Sequence, residues 1–231
     1  MRAAVRAIKP QASNYDVTDA IAAVSSDFEC NPLEGVLSHS MKKHLVDGNE
    51  VIINKESPEN KVKEFQFEPG QVFSLDIYVS TGEGTTKQAD KRITVYKREL
   101  DVQYSLRIQK ARQFFAEVQN KYPTLPFSIA GFADTTGAKV GVKECVEHNL
   151  LQEYVVLQEK SGEYVAQFKA TVVVQPNATA VICGHLEQPD ARYSSDKSVK
   201  NEDAKKLIES EIFKKVKEGK KKWLHKLFNT P

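Results

Sequence analysis

Alternation of apolar and polar residues predicts two long strands in this chain. Over positions 163–176, every second residue from Tyr164 onward falls on one face, and Lys169 falls on the opposite face. Positions 70–84 also alternate, contain Asp76 and end in a glycine turn. Shorter apolar runs predict further strands over 50–54, 92–97, 154–159 and 179–183.

Apolar residues at helical spacing predict four helices, over positions 16–27, 103–122, 137–149 and 203–219. Asp16 is the expected N-cap of the first, because its side chain can accept a hydrogen bond from a free backbone N–H. Pro123 ends the second, since the residue before a proline avoids helical geometry. The mixture of helices and strands predicts an α+β protein.

Composition narrows the class of protein. The chain has 231 residues, 40% of them hydrophobic and 28% charged, as in a globular domain. No apolar run approaches the roughly 20 residues of a membrane span, and no signal peptide is visible. The odd number of widely spaced cysteines, three, predicts a reducing compartment and no metal knuckle.

Charge is distributed unevenly. The net charge is only +2, but residues 200–231 hold ten lysines and five acids, which leaves the rest of the chain slightly acidic. A basic tail on such a body predicts a polyanionic partner.

Many short segments, in one order, resemble a single family. They are Leu33–His39, Asp47-Gly48, Val79–Gly84, Thr94–Arg98, Pro126-Phe127, Gly141–Cys145, Leu150–Gln152 and Gly162–Lys169. Through them, and as far as about Pro189, the chain resembles the C-terminal portion of the proliferation-associated protein family. These proteins are relatives of the type 2 methionine aminopeptidases and are non-catalytic.

The resemblance implies the C-terminal half of a pita-bread (creatinase/aminopeptidase-like) fold with a winged-helix-like helical insert. On this basis residues 1–102 and 161–200 form the two parts of the aminopeptidase-like sheet and its helices. Residues 103–160 form the insert, and residues 201–231 form a basic C-terminal helix or tail. The resemblance also implies a further half on the N-terminal side of the fold. Without that half, strand edges and apolar surface would be left uncovered.

The resemblance also locates three positions that hold metal ligands in the active aminopeptidases. They are occupied here by Ser38, Asp76 and Lys169. An ammonium group accepts no hydrogen bond and carries the charge of a metal, whereas two divalent cations need several anionic oxygens. A slip of one residue would substitute His39 for Ser38. We therefore expect no metal, no cofactor and no catalytic residue. The alternative role for Asp76 and Lys169 is an ion pair that joins two strands.

Two groups of basic residues are candidate nucleic-acid contacts, because phosphates attract clustered lysine and arginine with little demand on spacing. The first group is Lys91, Arg92, Lys97, Arg98, Arg107, Lys110 and Arg112. The second is Lys214, Lys215, Lys217, Lys220, Lys221 and Lys222, close to Trp223 and Phe228. This tail has three alternative roles. It could be solvated surface, a nuclear localisation signal, or an amphipathic helix that binds calmodulin or a membrane surface.

The function that the resemblance implies is non-catalytic binding of structured RNA, ribosomal RNA and the ribosome, in ribosome biogenesis, translation regulation and growth control. DNA and signalling or transcription proteins are further candidate partners, and no membrane is expected. The implied location is the cytoplasm and nucleus, including the nucleolus. The alternatives are a metal-dependent methionine aminopeptidase and a protein-interaction scaffold that uses the inactive pocket.

Overall fold

The computed structural model describes residues 1–58, 60–184 and 195–210. It contains the helices and strands listed here in chain order: α1 (Arg2–Ala7), α2 (Asn14–Asp27), β1 (Asn31–Pro32), β2 (Leu37–Met41), β3 (Val51–Ile53), β4 (Val72–Ser80), β5 (Lys87–Gln88), β6 (Val95–Arg98), α3 (Gln109–Lys121), β7 (Phe127–Ser128), α4 (Thr135–Glu147), β8 (Leu151–Glu153), β9 (Leu157–Gln158), β10 (Val165–Gln175), β11 (Ala178–Cys183) and α5 (Glu202–Glu209). A 3₁₀ turn spans Ile129–Gly131. The α+β prediction is confirmed.

Backbone contacts divide the chain into two units. The first contains Met1–Met41, Gly48–Thr85 and Gly162–Pro231, and the second contains Lys42–Asp47 and Thr86–Ser161. The predicted insert, residues 103–160, lies within the second unit, which also takes in residues 86–102 and the short segment 42–47.

The first unit is built on a six-stranded antiparallel sheet. Its strands follow the order β11-β10-β4-β2-β3, and β1 pairs with β4. Strand β4 alternates as predicted, with Phe73, Leu75 and Ile77 almost fully buried on one face. These side chains join α1 and α2 in one apolar core, and each contributes about 1.5–3 kcal/mol by leaving water.

Helix α2 begins two residues earlier than predicted. Ser13 is its N-cap, and Asp16 instead completes a capping box by accepting the backbone N–H of Ser13 at 2.8 Å. The prediction of Asp16 as N-cap was therefore wrong, although its carboxylate does stabilise the start of the helix.

The C-terminal helix is shorter than predicted. Helix α5 ends at Glu209, and Ser210 has extended backbone geometry, so a single helix over 203–219 is wrong. Residues 211–219 lie outside the described residues. Before α5, the Asp27 carboxylate accepts the backbone N–H groups of Asn201 and Lys200, and these bonds lower the pKa of Asp27.

The second unit pairs two helices with a small sheet. Helices α3 and α4 pack on a three-stranded antiparallel sheet of order β7-β6-β8. Phe114, Phe127 and Phe132 form its aromatic centre. Cys145 is fully buried there, and burial raises the pKa of its thiol to about 12, so the residue packs as a protonated apolar group.

The helix predicted over 103–122 forms only from Gln109. Ile108 is extended, and residues 102–107 approach the helix without regular structure. The predicted strand over 154–159 is likewise replaced by the short strands β8 and β9. No helix in the described part of the chain is long and apolar enough to cross a bilayer.

Candidate functional site

Asp76 stands at the centre of the first candidate site. It lies on β4 directly opposite Lys169 on β10, and both side chains are on the sheet face away from the buried Leu75. The Lys169 Nζ donates to Asp76 Oδ2 at 3.1 Å, and the Gln167 Nε2 donates to Asp76 Oδ1 at 2.7 Å. Both carboxylate oxygens of Asp76 are therefore engaged within the sheet.

Ser38 reaches the same place from the other side of β4. The backbone N–H of Asp76 donates to the Ser38 Oγ at 2.9 Å, and Ser38 is almost fully buried. The hydroxyl thus joins β2 to β4. The structure brings together all three positions that the sequence singled out, and the ion pair predicted between Asp76 and Lys169 is present.

This donor set does not fit a pair of divalent cations. Asp76 is the only carboxylate among the three positions, and its partner Lys169 places a positive charge where a second anionic oxygen would be required. Within residues 1–58, 60–184 and 195–210, no three His, Cys, Asp or Glu side chains come together in a possible metal site. His39 instead places its Nδ1 at 3.2 Å from the backbone oxygen of Gly48.

Gln167 is the residue of this site that sequence reasoning did not identify. The signal was available, because the period of two on β10 places Gln167 on the same face as Lys169. As Lys169 is 61% exposed at its side chain, the pair is screened by water and contributes about 1 kcal/mol or less to stability. The main consequence of the ion pair is therefore the positive charge that Lys169 places at a metal-ligand position, and its contribution to the stability of the fold is small.

The second candidate site lies in the second unit. Lys91, Arg92, Arg107, Lys110 and Arg112 are all exposed there. Because these side chains are exposed, their positive charges are accessible to the phosphates of a large anion.

Three members of the predicted basic group make contacts inside the unit, and one of them, Arg112, is exposed while its Nη1 donates to backbone oxygens. The Lys97 ammonium forms an ion pair with Asp47, and its side chain is only 13% exposed. The Arg98 guanidinium lies 5.9 Å from the centre of the Phe115 ring, a cation–π contact. The tail lysines Lys214, Lys215, Lys217, Lys220, Lys221 and Lys222 lie outside the described residues.

Comparisons with known proteins identify relatives of the chain. The chain is 38% identical to ErbB-3 binding protein 1 of Arabidopsis thaliana over 219 residues, which cover 94% of this chain and 55% of the relative. It is 36% identical to proliferation-associated protein A of Dictyostelium discoideum, over 96% of this chain and 57% of the relative. It is also 35% identical to the curved DNA-binding protein of Schizosaccharomyces pombe, over 96% and 58%. Over most of its length the chain is therefore homologous to the proliferation-associated proteins.

A solved structure supports the same assignment. A thermophilic Arx1 superposes with a TM-score of 0.82 at 26% sequence identity, over 91% of this chain and 61% of that structure. The predicted pita-bread fold is confirmed by this similarity. No family model matches the chain.

Catalytic members of the wider fold are more distant relatives. Fungal methionine aminopeptidases 2 match at 25% to 28% identity over 160 residues, well below the three proteins named above. The similarity therefore lies with the proliferation-associated proteins. The chain spans about half the length of the curated relatives it matches.

The first unit has an apolar groove. The resemblance implied uncovered apolar surface but did not name the residues that form it. The groove encloses about 390 Å³ and is lined mainly by apolar side chains of α1, α2, β4 and β10. Tyr164 is 80% exposed at its edge, and Val165 and Phe168 are each more than 40% exposed. Neighbouring apolar side chains left in water favour association.

We expect this surface to make the chain self-associate. Replacing Tyr164 and Phe168 together by serine should lower the average mass measured by light scattering at a fixed protein concentration, because less apolar area remains to be buried on contact. Val140→Ser is the matched control, since Val140 is 40% exposed on α4 and is not one of the residues that line the groove. A monodisperse monomer before any substitution would contradict this expectation.

Proposed function

We propose that the chain is a non-catalytic, RNA-binding protein with an aminopeptidase-like fold that acts on ribosomes. The observation that carries the RNA-binding part is the group of exposed basic side chains of the second unit: Lys91, Arg92, Arg107, Lys110 and Arg112. Phosphate binding requires such charges to be accessible. The name of the Schizosaccharomyces pombe relative, a curved DNA-binding protein, supports a nucleic-acid partner.

The proposed absence of catalysis rests on the surroundings of Asp76. Its two oxygens accept hydrogen bonds from Lys169 and Gln167, so binding a metal would require both bonds to be given up and two positive charges to be placed side by side. The names of the relatives at 35% to 41% identity describe binding or proliferation, and none of them names an aminopeptidase.

The proposed setting follows the family. Ribosomal RNA and the ribosome are the proposed partners, with roles in ribosome biogenesis and translation control in the cytoplasm, nucleus and nucleolus. DNA and signalling proteins are secondary partners in this proposal, in agreement with the names of the curved DNA-binding and ErbB-3 binding relatives.

A peptidase assay tests the catalytic part. We expect the purified chain, supplied with cobalt, manganese or zinc, to retain less than one metal ion per chain and to release no N-terminal methionine from a peptide. Elemental analysis after gel filtration and quantitative detection of free methionine are the measurements. Lys169→Ala is the matched variant, because it removes the ammonium and leaves Asp76 in place. Metal-dependent turnover by the parent chain above that of Lys169→Ala would overturn the proposal.

Deletion of residues 214–231 tests the contribution of the basic tail to RNA binding. It removes seven lysines, so we expect weaker binding of a structured RNA and a shallower dependence of log affinity on log salt. The slope should become shallower by about 0.7 to 0.9 for each phosphate contact that is lost. Anisotropy titrations at four or more salt concentrations give both quantities. An unchanged slope would exclude the tail lysines as phosphate contacts.

A further inference from the structure

Tyr104 in the second unit forms an exposed aromatic stack. Its ring lies 3.7 Å from the His148 ring, centre to centre, with only 18° between the two planes. Tyr104 nevertheless remains 41% exposed. A flat aromatic side chain supported on one side and open to solvent can accept a second planar group by stacking.

The backbone around Tyr104 is held in place. The side chain of Arg112 donates from Nη1 to the backbone oxygens of Leu106, at 3.1 Å, and Arg107, at 2.8 Å. Leu106 itself is buried in the apolar core of the unit. These contacts hold the backbone two and three residues after Tyr104, and a backbone that is already held costs less to order when a ligand binds.

His148 supports one face of the Tyr104 ring. It occupies the C-terminal end of α4, where its backbone N–H donates to the backbone oxygen of Glu144. Its Nε2 lies 3.6 Å from the Glu144 carboxylate. Tyr104 therefore stacks on a residue that is itself placed by the end of α4.

The segment that follows Tyr104 is strongly basic. Residues 102–116 contain Arg107, Lys110 and Arg112 and no acidic residue. All three basic residues are exposed. Arg107 is three residues from Tyr104, so their Cα atoms are separated by at most about 10 Å, within reach of one nucleotide and its phosphate.

We propose that Tyr104 and the basic residues Arg107, Lys110 and Arg112 form a binding site for a nucleotide with an unpaired base. The base stacks on the exposed part of the Tyr104 ring, while the basic side chains contact the adjacent phosphates. This inference rests on the proposed RNA-binding function and names the part of the RNA that the site takes. A base inside a duplex is stacked on both sides, so the site requires a loop, a bulge or a single-stranded end.

The test compares two RNAs of equal length with the full chain. One is a hairpin with an unpaired loop, and the other is a fully paired duplex. We expect Tyr104→Ala to weaken hairpin binding about 5- to 150-fold, the range for losing one base–aromatic stack. Duplex binding should change less than twofold. Tyr104→Phe should bind the hairpin like the parent, because it keeps the ring.

Two further variants separate stacking from charge. Tyr154→Ala is the matched control, because Tyr154 is also about 40% exposed in the second unit; it should leave hairpin binding unchanged. Tyr104→Ala should not alter the salt dependence, because no charge is lost. Arg107→Ala with Lys110→Ala should make the slope of log affinity against log salt shallower by about 1.4 to 1.8 for single-stranded or duplex contacts respectively.

The outcomes distinguish the inference from the proposed function. Equal hairpin binding by Tyr104→Ala and the parent would overturn the inference, and a weaker Arg107→Ala, Lys110→Ala variant would leave the proposed function standing. Equal losses on hairpin and duplex would also overturn the inference, because the ring would then serve the fold of the unit. Failure of the parent to bind either RNA would overturn the proposed function itself.

Discussion

Replacing Arg107, Lys110 and Arg112 together by alanine is expected to lower the affinity of the chain for structured RNA about 100-fold at physiological salt. A hydrogen bond to a charged group contributes about 1.5–3 kcal/mol, and screening at an exposed surface reduces this to about 1 kcal/mol each. Three lost contacts therefore correspond to about 3 kcal/mol, or about two powers of ten. Anisotropy titration of a fluorescent RNA measures the change.

The design must separate charge from structure, because Arg112 also secures the backbone at Leu106 and Arg107. The double variant Arg107→Ala, Lys110→Ala leaves these bonds in place and should account for about two thirds of the free-energy loss. Lys139→Ala with Lys143→Ala removes the same charge from exposed positions on α4 and serves as the control. If the control and the double variant lost the same affinity for RNA, net charge alone would govern binding.

The sheet face on which Asp76 and Lys169 lie could be predicted, because side chains alternate between the two faces of a strand with a period of two. Once β4 and β10 are assigned, alternation places Asp76 and Lys169 on the face opposite Leu75, and antiparallel pairing makes their meeting possible. The register that sets them directly opposite depends on the whole sheet. The resemblance to the aminopeptidases singled out the two residues and allowed an ion pair between them, and the structure supplied the register that sets them opposite each other.

The basic surface shows the limit of such prediction. Lys97 and Arg107 are both basic residues in the same unit, but the ammonium of Lys97 pairs with Asp47, which is 50 positions away in the chain. No local pattern reveals that partner. The same limit applies to the segment before α3, where the buried Leu106 and the bonds from Arg112 hold extended backbone that apolar spacing alone had assigned to a helix.

The pattern of apolar residues also could not predict the packing contacts of a glycine. Helical spacing predicts that Ala138, Val142, Cys145 and Val146 form the inward face of α4. The first three are buried and Val146 is partly buried. That spacing gave no weight to Gly141, which has no side chain to count. The structure places Gly141 against Phe114 of α3, so the packing of this aromatic side chain on α4 depends on a residue without a side chain.

Gly141→Ala should destabilise the second unit by about 1–2 kcal/mol. A Cβ added at Gly141 would lie 2.5 Å from the Cδ1 and Cγ atoms of Phe114 and 2.6 Å from its Cβ, so α3 and α4 would have to separate. Overpacking of this kind costs about 1–3 kcal/mol. The higher helix propensity of alanine, which contributes up to about 1 kcal/mol, opposes the loss only in part.

Denaturant unfolding, read by hydrogen exchange at the amides of α3 and α4, measures this effect in the unit where it arises. Lys139→Ala on the exposed side of α4 is the control and should change stability by less than about 0.5 kcal/mol. Because Lys110 and Arg112 stand on α3, separation of the helices should also weaken RNA binding. Gly141→Ala with unchanged or greater stability would mean that the two helices can move apart at no cost, contrary to the close packing of Phe114 at this point.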